Sequence, residues 1–242
     1  MEDDINEPFL HYKDNEEDAD LDKIIHKNIR NGFICKVYGI ILYQIIISAI
    51  FVLFAINNSA FKKLLLTSYT LYFLSIFLSF FCILLPLCFP KIYQKVPINY
   101  IVITIFTLSI SWTLAMVVCL YSVKSVIIAF FLTFITVLSL TVYAWRTEKD
   151  FTVYGGTLFV GLILLFFISI IYMIIPIRLI YLIYIYSSLI LFCIYLIYDT
   201  QLLIGEGRCK FSEDDYILAA MNIYLDIIIL FLKILSTVGD KK

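Results

Sequence analysis

Histidine is all but missing from this chain. The only two, His11 and His26, precede the first long apolar run, so a histidine-based metal or catalytic centre inside the apolar part is excluded by inventory. Six cysteines (Cys35, Cys82, Cys88, Cys119, Cys193, Cys209) are scattered with no CxxC spacing, most of them within apolar runs where a thiol behaves as a small hydrophobe. Neither a zinc site nor a disulfide framework is expected. Charge is scarce as well, at 15% of residues against 62% hydrophobic and a mean hydropathy of +0.98. A water-soluble domain of this length needs far more polar cover. The net charge of −1 gives no sign of a nucleic-acid partner. No signal peptide is visible, because a polar, acidic opening comes before the first apolar run, and the first span is expected to serve as its own targeting signal. Nor is there a repeat of about 20–50 residues or the internal symmetry that many transporters carry.

What is there is apolar length. A helix crossing about 30 Å of hydrocarbon at 1.5 Å per residue needs roughly 20 apolar residues. Seven stretches meet that ruler: residues 37–56, 66–89, 99–121, 125–145, 154–175, 179–204 and 216–238. Turn chemistry separates them at Asn57-Asn58-Ser59, from Pro90 to Pro97, from Thr147 to Asp150, at Pro176 and at Gly205-Glu206-Gly207. The runs are continuous rather than alternating and twice too long for barrel strands. The expected fold is therefore an all-α polytopic membrane protein, a seven-transmembrane-helix bundle over residues 33–242. Ten of the nineteen acids lie before residue 23, so residues 1–32 are expected to form an acidic disordered tail. Eleven of the eighteen Lys and Arg fall on the face of the N-terminus, which favours a cytosolic N-terminus. The count leaves open whether the seventh segment crosses or is re-entrant.

Two acids sit inside the spans, Asp199 and Asp226. An ionisable group at the bilayer centre costs at least about 2.5–3.5 kcal/mol, so it is kept only if it faces the bundle interior, finds a partner or works. Asp226 lies ten residues inside Tyr216, about 15 Å at helical rise, and Asp199 lies five residues before Gly205 on the same side. A short loop joins the two helices, so they run antiparallel as neighbours and the carboxylates can approach. Ala219, Asn222 and Lys233 share the face of Asp226 at helical spacing, and Ser188, Tyr195 and Asp199 form a matching line on the preceding span. Two carboxylates at close quarters in low dielectric share a proton and titrate together, which makes a pH-sensitive latch. When both are charged they offer hard oxygens suited to Ca²⁺. The competing readings are a buried structural contact between Asp226 and Lys233, or an Asp199 shallow enough to reach headgroup water.

These residues also carry a family resemblance. Arg30-Asn31-Gly32-Phe33-Ile34-Cys35-Lys36-Val37-Tyr38, Pro97-Ile98-Asn99-Tyr100, Tyr198-Asp199-Thr200-Gln201 and the block from Asp215 to Ile228 resemble the Bax inhibitor (transmembrane Bax inhibitor motif) family, nearest to its lifeguard and Golgi anti-apoptotic branch. The resemblance implies a seven-helix fold, residence in endoplasmic reticulum or Golgi membranes, a pH-sensitive Ca²⁺ leak with no cofactor, and suppression of apoptosis. It places the family's paired aspartates on Asp199 and Asp226, with the bilayer, Ca²⁺ and protons, and membrane proteins of the cell-death or Ca²⁺-release machinery as partners. The chain departs from the family at Ile229, where Asn is frequent, at the apolar start of the sixth span around Tyr181, and in residues 66–89, which lack the basic latch of some prokaryotic relatives. A non-conducting membrane scaffold that acts through partners is the alternative. An intramembrane aspartyl protease also pairs Tyr-Asp on one helix with an aspartate on the next, but it needs a flexible Gly-x-Gly before the second, where this chain has Ile223-Tyr224-Leu225.

Overall fold

A computed structural model describes residues 7–205 and 207–240. Eight α-helices, and no strand among the described residues, follow one another: α1 (Glu7–Asn57), α2 (Ser59–Thr67), α3 (Tyr69–Cys88), α4 (Ile98–Cys119), α5 (Val123–Arg146), α6 (Gly155–Ile174), α7 (Arg178–Ile204) and α8 (Tyr216–Val238). Seven are long and apolar enough to cross a bilayer, all but α2, and they coincide with the seven runs read from the sequence. At nine residues α2 is far too short to cross. Its start is capped by Asn58, whose Oδ1 accepts from the N–H groups of Ala60 and Phe61 at 3.0 and 3.1 Å. Its apolar side packs Leu65 and Phe61 onto the end of α1 and Trp112 of α4.

Residues 7–32, expected to be an unstructured tail, continue α1 as helix, while 1–6, with Glu2, Asp3 and Asp4, lie outside the described residues. Helix nucleation is the costly step, and a long apolar helix already supplies it, so charged helix formers upstream extend it readily. The side chains from Lys23 to Ile29 are exposed on that extension.

The helices are arranged about α8. Of the residues in its most apolar stretch 56% are buried, against 44% for α4 and 11–22% for the other five spans. It is surrounded by α1, α4, α5 and α7, with α3 outside α4 and α6 outside α7. Lipid is as apolar as leucine, so such a bundle is held by close packing and polar contacts rather than by hydrophobic burial. Ala219, Ala220, Leu230 and Leu235 of α8 are fully covered.

The ends of α8 settle a question the charge count left open. At its start, the Asn99 side-chain amide at the head of α4 donates to the Tyr216 hydroxyl at 2.7 Å. At its finish, the Asp240 N–H donates to Ser125 Oγ and the Ser122 N–H to the Asp240 carbonyl, each at 3.0 Å, in the turn between α4 and α5. The helix therefore traverses the whole thickness of the bundle beside α4 and is not re-entrant.

Candidate functional site, a carboxylate pair beside the central helix

Asp199 and Asp226 meet. They lie on adjacent antiparallel helices, their carboxyl groups lie within hydrogen-bonding reach of one another, and they are only 5% and 4% exposed. A hydrogen bond between two carboxyls requires one proton between them, and two unit charges 4 Å apart repel by about 4 kcal/mol at an effective dielectric of 20. No cation lies within ion-pair distance of either among the described residues. Asp226 Oδ2 is buried without a hydrogen-bond partner.

The supporting residues divide. Tyr195, one turn before Asp199, faces both carboxyls and stacks its ring near those of Phe192 and Tyr198 at 5.8 and 6.3 Å. Asn222, half-buried, sits one turn before Asp226 on α8. Ser188 is buried but lies eleven residues before Asp199, about 16 Å along the helix, and its hydroxyl donates to the Ile185 carbonyl at 2.8 Å. It belongs to the helix rather than to the pair. Lys233 makes no ion pair with Asp226, because its ammonium rests 3.8 Å from the centre of the Tyr184 ring on α7. Helical spacing placed it on the right face of α8, but a flexible four-carbon stem found an aromatic partner instead.

The α7–α8 loop above the pair is clamped from two sides that sequence reasoning missed. From α1, Arg30 Nη2 donates to the Leu202 carbonyl at 2.6 Å, Nε to the Ile204 carbonyl at 3.2 Å and Nη1 to the Phe211 carbonyl at 2.7 Å, with Glu213 at 3.6 Å. Gly205 stands where α7 stops, at φ 79°, and a Cβ there would lie 2.7 Å from the Arg30 guanidinium. From the α5–α6 connector, Asp150 Oδ2 accepts the Arg208 N–H at 2.8 Å while Oδ1 accepts the hydroxyl and N–H of Thr152 at 2.6 and 2.9 Å. The Thr152 hydroxyl and the Arg208 N–H hold the Asp150 carboxyl below the usual carboxylate range. Gln201 completes this side, accepting from the Phe151 N–H at 2.7 Å and donating to the Lys149 carbonyl at 2.9 Å.

The opposite face of α8 carries a second polar seam, also unforeseen. Tyr224 OH lies 2.6 Å from Ser48 Oγ, which lies 2.9 Å from Ser111 Oγ, and Gln44 Nε2 donates to Thr107 Oγ at 3.1 Å. Ser111 and Thr107 each donate to a carbonyl of their own helix at 2.7 Å. All five side chains are fully buried and neutral, and the one unpartnered atom is Gln44 Oε1. Gln44, alone in an apolar run, was the signal available for this seam.

Fold and site together define a multi-pass α-helical membrane protein that carries an acid pair beside its central helix. The comparisons give that class a family. The model of the family described as "Inhibitor of apoptosis-promoting Bax1" matches residues 30–242. Protein lifeguard 3 of Homo sapiens is 32% identical over 222 residues, covering 89% of this chain and 70% of its own. Protein LIFEGUARD 4 of Arabidopsis thaliana is 36% identical over 215 residues, covering 86% and 84%. The chain belongs to the Bax inhibitor family.

Proposed function

We propose that this protein is a Ca²⁺ leak channel of endoplasmic reticulum or Golgi membranes, with its N-terminus cytosolic, in which protonation of the Asp199/Asp226 pair controls a cation path between α7 and α8. It restrains apoptosis by setting the Ca²⁺ content of the organelle. The observation that carries this reading is the meeting of two carboxyls inside a bundle of crossing-length helices with no basic partner among the described residues. Intramembrane acids of this kind mark ion or proton pathways. Two carboxylates supply at most four oxygens, fewer than the six to eight that Ca²⁺ gathers. That suits brief contact with a partly hydrated ion in transit rather than a resident metal. The family description supports the anti-apoptotic part.

A proteolytic role has less support. α8 runs as unbroken helix through Ile223, Tyr224 and Leu225, where a protease would need pliant backbone.

The test is an Asp199→Asn/Asp226→Asn double variant assayed both for Ca²⁺ flux in liposomes and for protection of cells from an apoptotic stimulus. Both activities are expected to fall together. Full protection without flux would instead establish the scaffold reading.

A further inference from the structure

We propose that Arg30 is a positioning residue for the carboxylate pair, acting through the last turn of α7. The inference rests on the conducting reading above and concerns the same site. The carbonyls closing a helix lack intrahelical donors, and the end of the helix dipole is negative there. Arg30 answers both needs at once, donating to Leu202 and Ile204 on α7 and to Phe211 in the loop, with its guanidinium 4.6 Å over the Phe33 ring. Leu202 is three residues beyond Asp199, within one turn. α1 packs mainly on α4 and α8 and meets α7 only slightly, and Arg30 hydrogen-bonds the first span to the end of the helix that carries Asp199. The register of α7 against α8 decides whether the two carboxyls meet, and Arg30 holds the α1 side of that end of α7 while Gln201 holds the side of the α5–α6 connector.

Among the described residues, the titratable and charged groups around this assembly come from α1, α7, the α7–α8 loop and the α5–α6 connector. Tyr195 of α7 lies near both acids, while Tyr198 lies near Asp199 and Cys209 with its hydroxyl against Gly155 of α6. Glu213 of the loop faces Arg30, Asp150 of the α5–α6 connector accepts from the Arg208 N–H of the loop, and Lys36 of α1 sits 3.3 Å over the Tyr216 ring at the head of α8. Arg30 itself stays charged across any relevant pH. Its effect on a pH response therefore comes from geometry rather than from its own titration. A lysine keeps the charge but not the planar fork that reaches three carbonyls.

The experiment compares full-length wild type, Arg30→Gln, Arg30→Lys and the exposed control Lys27→Gln in liposomes, measuring Ca²⁺ flux from pH 5 to 8. Hydrogen exchange of residues 196–215 in nanodiscs accompanies it. Both Arg30 variants are expected to move the pH midpoint by about half a unit or more, roughly a threefold change in apparent proton affinity. They should also speed exchange in that segment roughly tenfold, and Lys27→Gln should do neither. If Arg30→Gln fails to fold, Arg30→Lys carries the same expectation. A wild-type profile in Arg30→Lys, or a shifted midpoint with unchanged exchange, would overturn positioning in favour of charge alone. A wild type with no Asp226-dependent pH response would overturn the conducting reading and the role of Arg30 with it, whereas a normal wild-type response with unmoved variants would overturn only the role.

Discussion

The two faces of α8 are both polar and both buried, yet they are built to opposite rules. Toward α1 and α4, Tyr224, Ser48, Ser111, Thr107 and Gln44 form a neutral seam in which the hydroxyl protons find acceptors. Toward α7, Asp226 meets a second acid rather than a base, and one of its oxygens is left without a partner. Neutral hydrogen bonds across membrane helices hold a bundle together at modest gain. An acid pair with an unused oxygen is poor glue, because one proton more or less changes its charge. The contrast sets a neutral seam against an acid one on the same helix.

The contrast can be broken most forcefully by placing an acid in the neutral seam. Ser111→Asp is expected to destabilise the protein by about 2.5–3.5 kcal/mol, the scale for an unpaired acid in the bilayer interior, seen as a lowered thermal midpoint in detergent. An effect below 1 kcal/mol would mean that water reaches the seam. Tyr224→Phe removes one hydroxyl and leaves Ser48 and Ser111 with each other and with helix carbonyls. A loss of about 0.5–1.5 kcal/mol is expected, with the pH midpoint of Ca²⁺ flux unmoved. A moved midpoint would join the two seams into one system. The smallest effect is expected at Asp150, whose carboxyl is held below the ordinary range by Thr152 and Arg208. A depressed folded value means that its stabilisation is present above the unfolded value of about 4 and is lost as pH falls through the folded value. Between pH 5 and 8 it is constant. Asp150→Asn should therefore lower stability slightly and uniformly over that range, leave the flux midpoint alone, and converge with wild type in acid unfolding below about pH 4.

Much of this was legible in the chain. Hydropathy alone placed seven spans, because the bilayer sets their length, and the rarity of intramembrane acids singled out Asp199 and Asp226. The antiparallel α7–α8 hairpin then brought the acids together. What escaped was set by long-range reach. Arg30 bonds carbonyls more than 170 residues away, and a basic residue at the foot of a first span looks like any positive-inside charge. Ser and Thr in spans often bond their own helix, as Ser188 does, so their spacing did not reveal that Ser48 and Ser111 face each other. Lys233 shared the stripe of Asp226 but turned to Tyr184, since a stripe fixes where a stem begins and not where its tip goes. The small α2 falls below the span ruler: only Ser59 of it belongs to the connector read from the sequence, and Leu66 and Thr67 fall inside the second run.

The most direct measurement is Ca²⁺ flux through purified protein in liposomes from pH 5 to 8, wild type beside Asp226→Asn. Wild-type flux is expected to change several-fold over that range, with a single midpoint, and Asp226→Asn to lose the change while remaining folded. An Asp226→Asn protein whose flux follows pH as wild type does would contradict the claim that this pair senses protons.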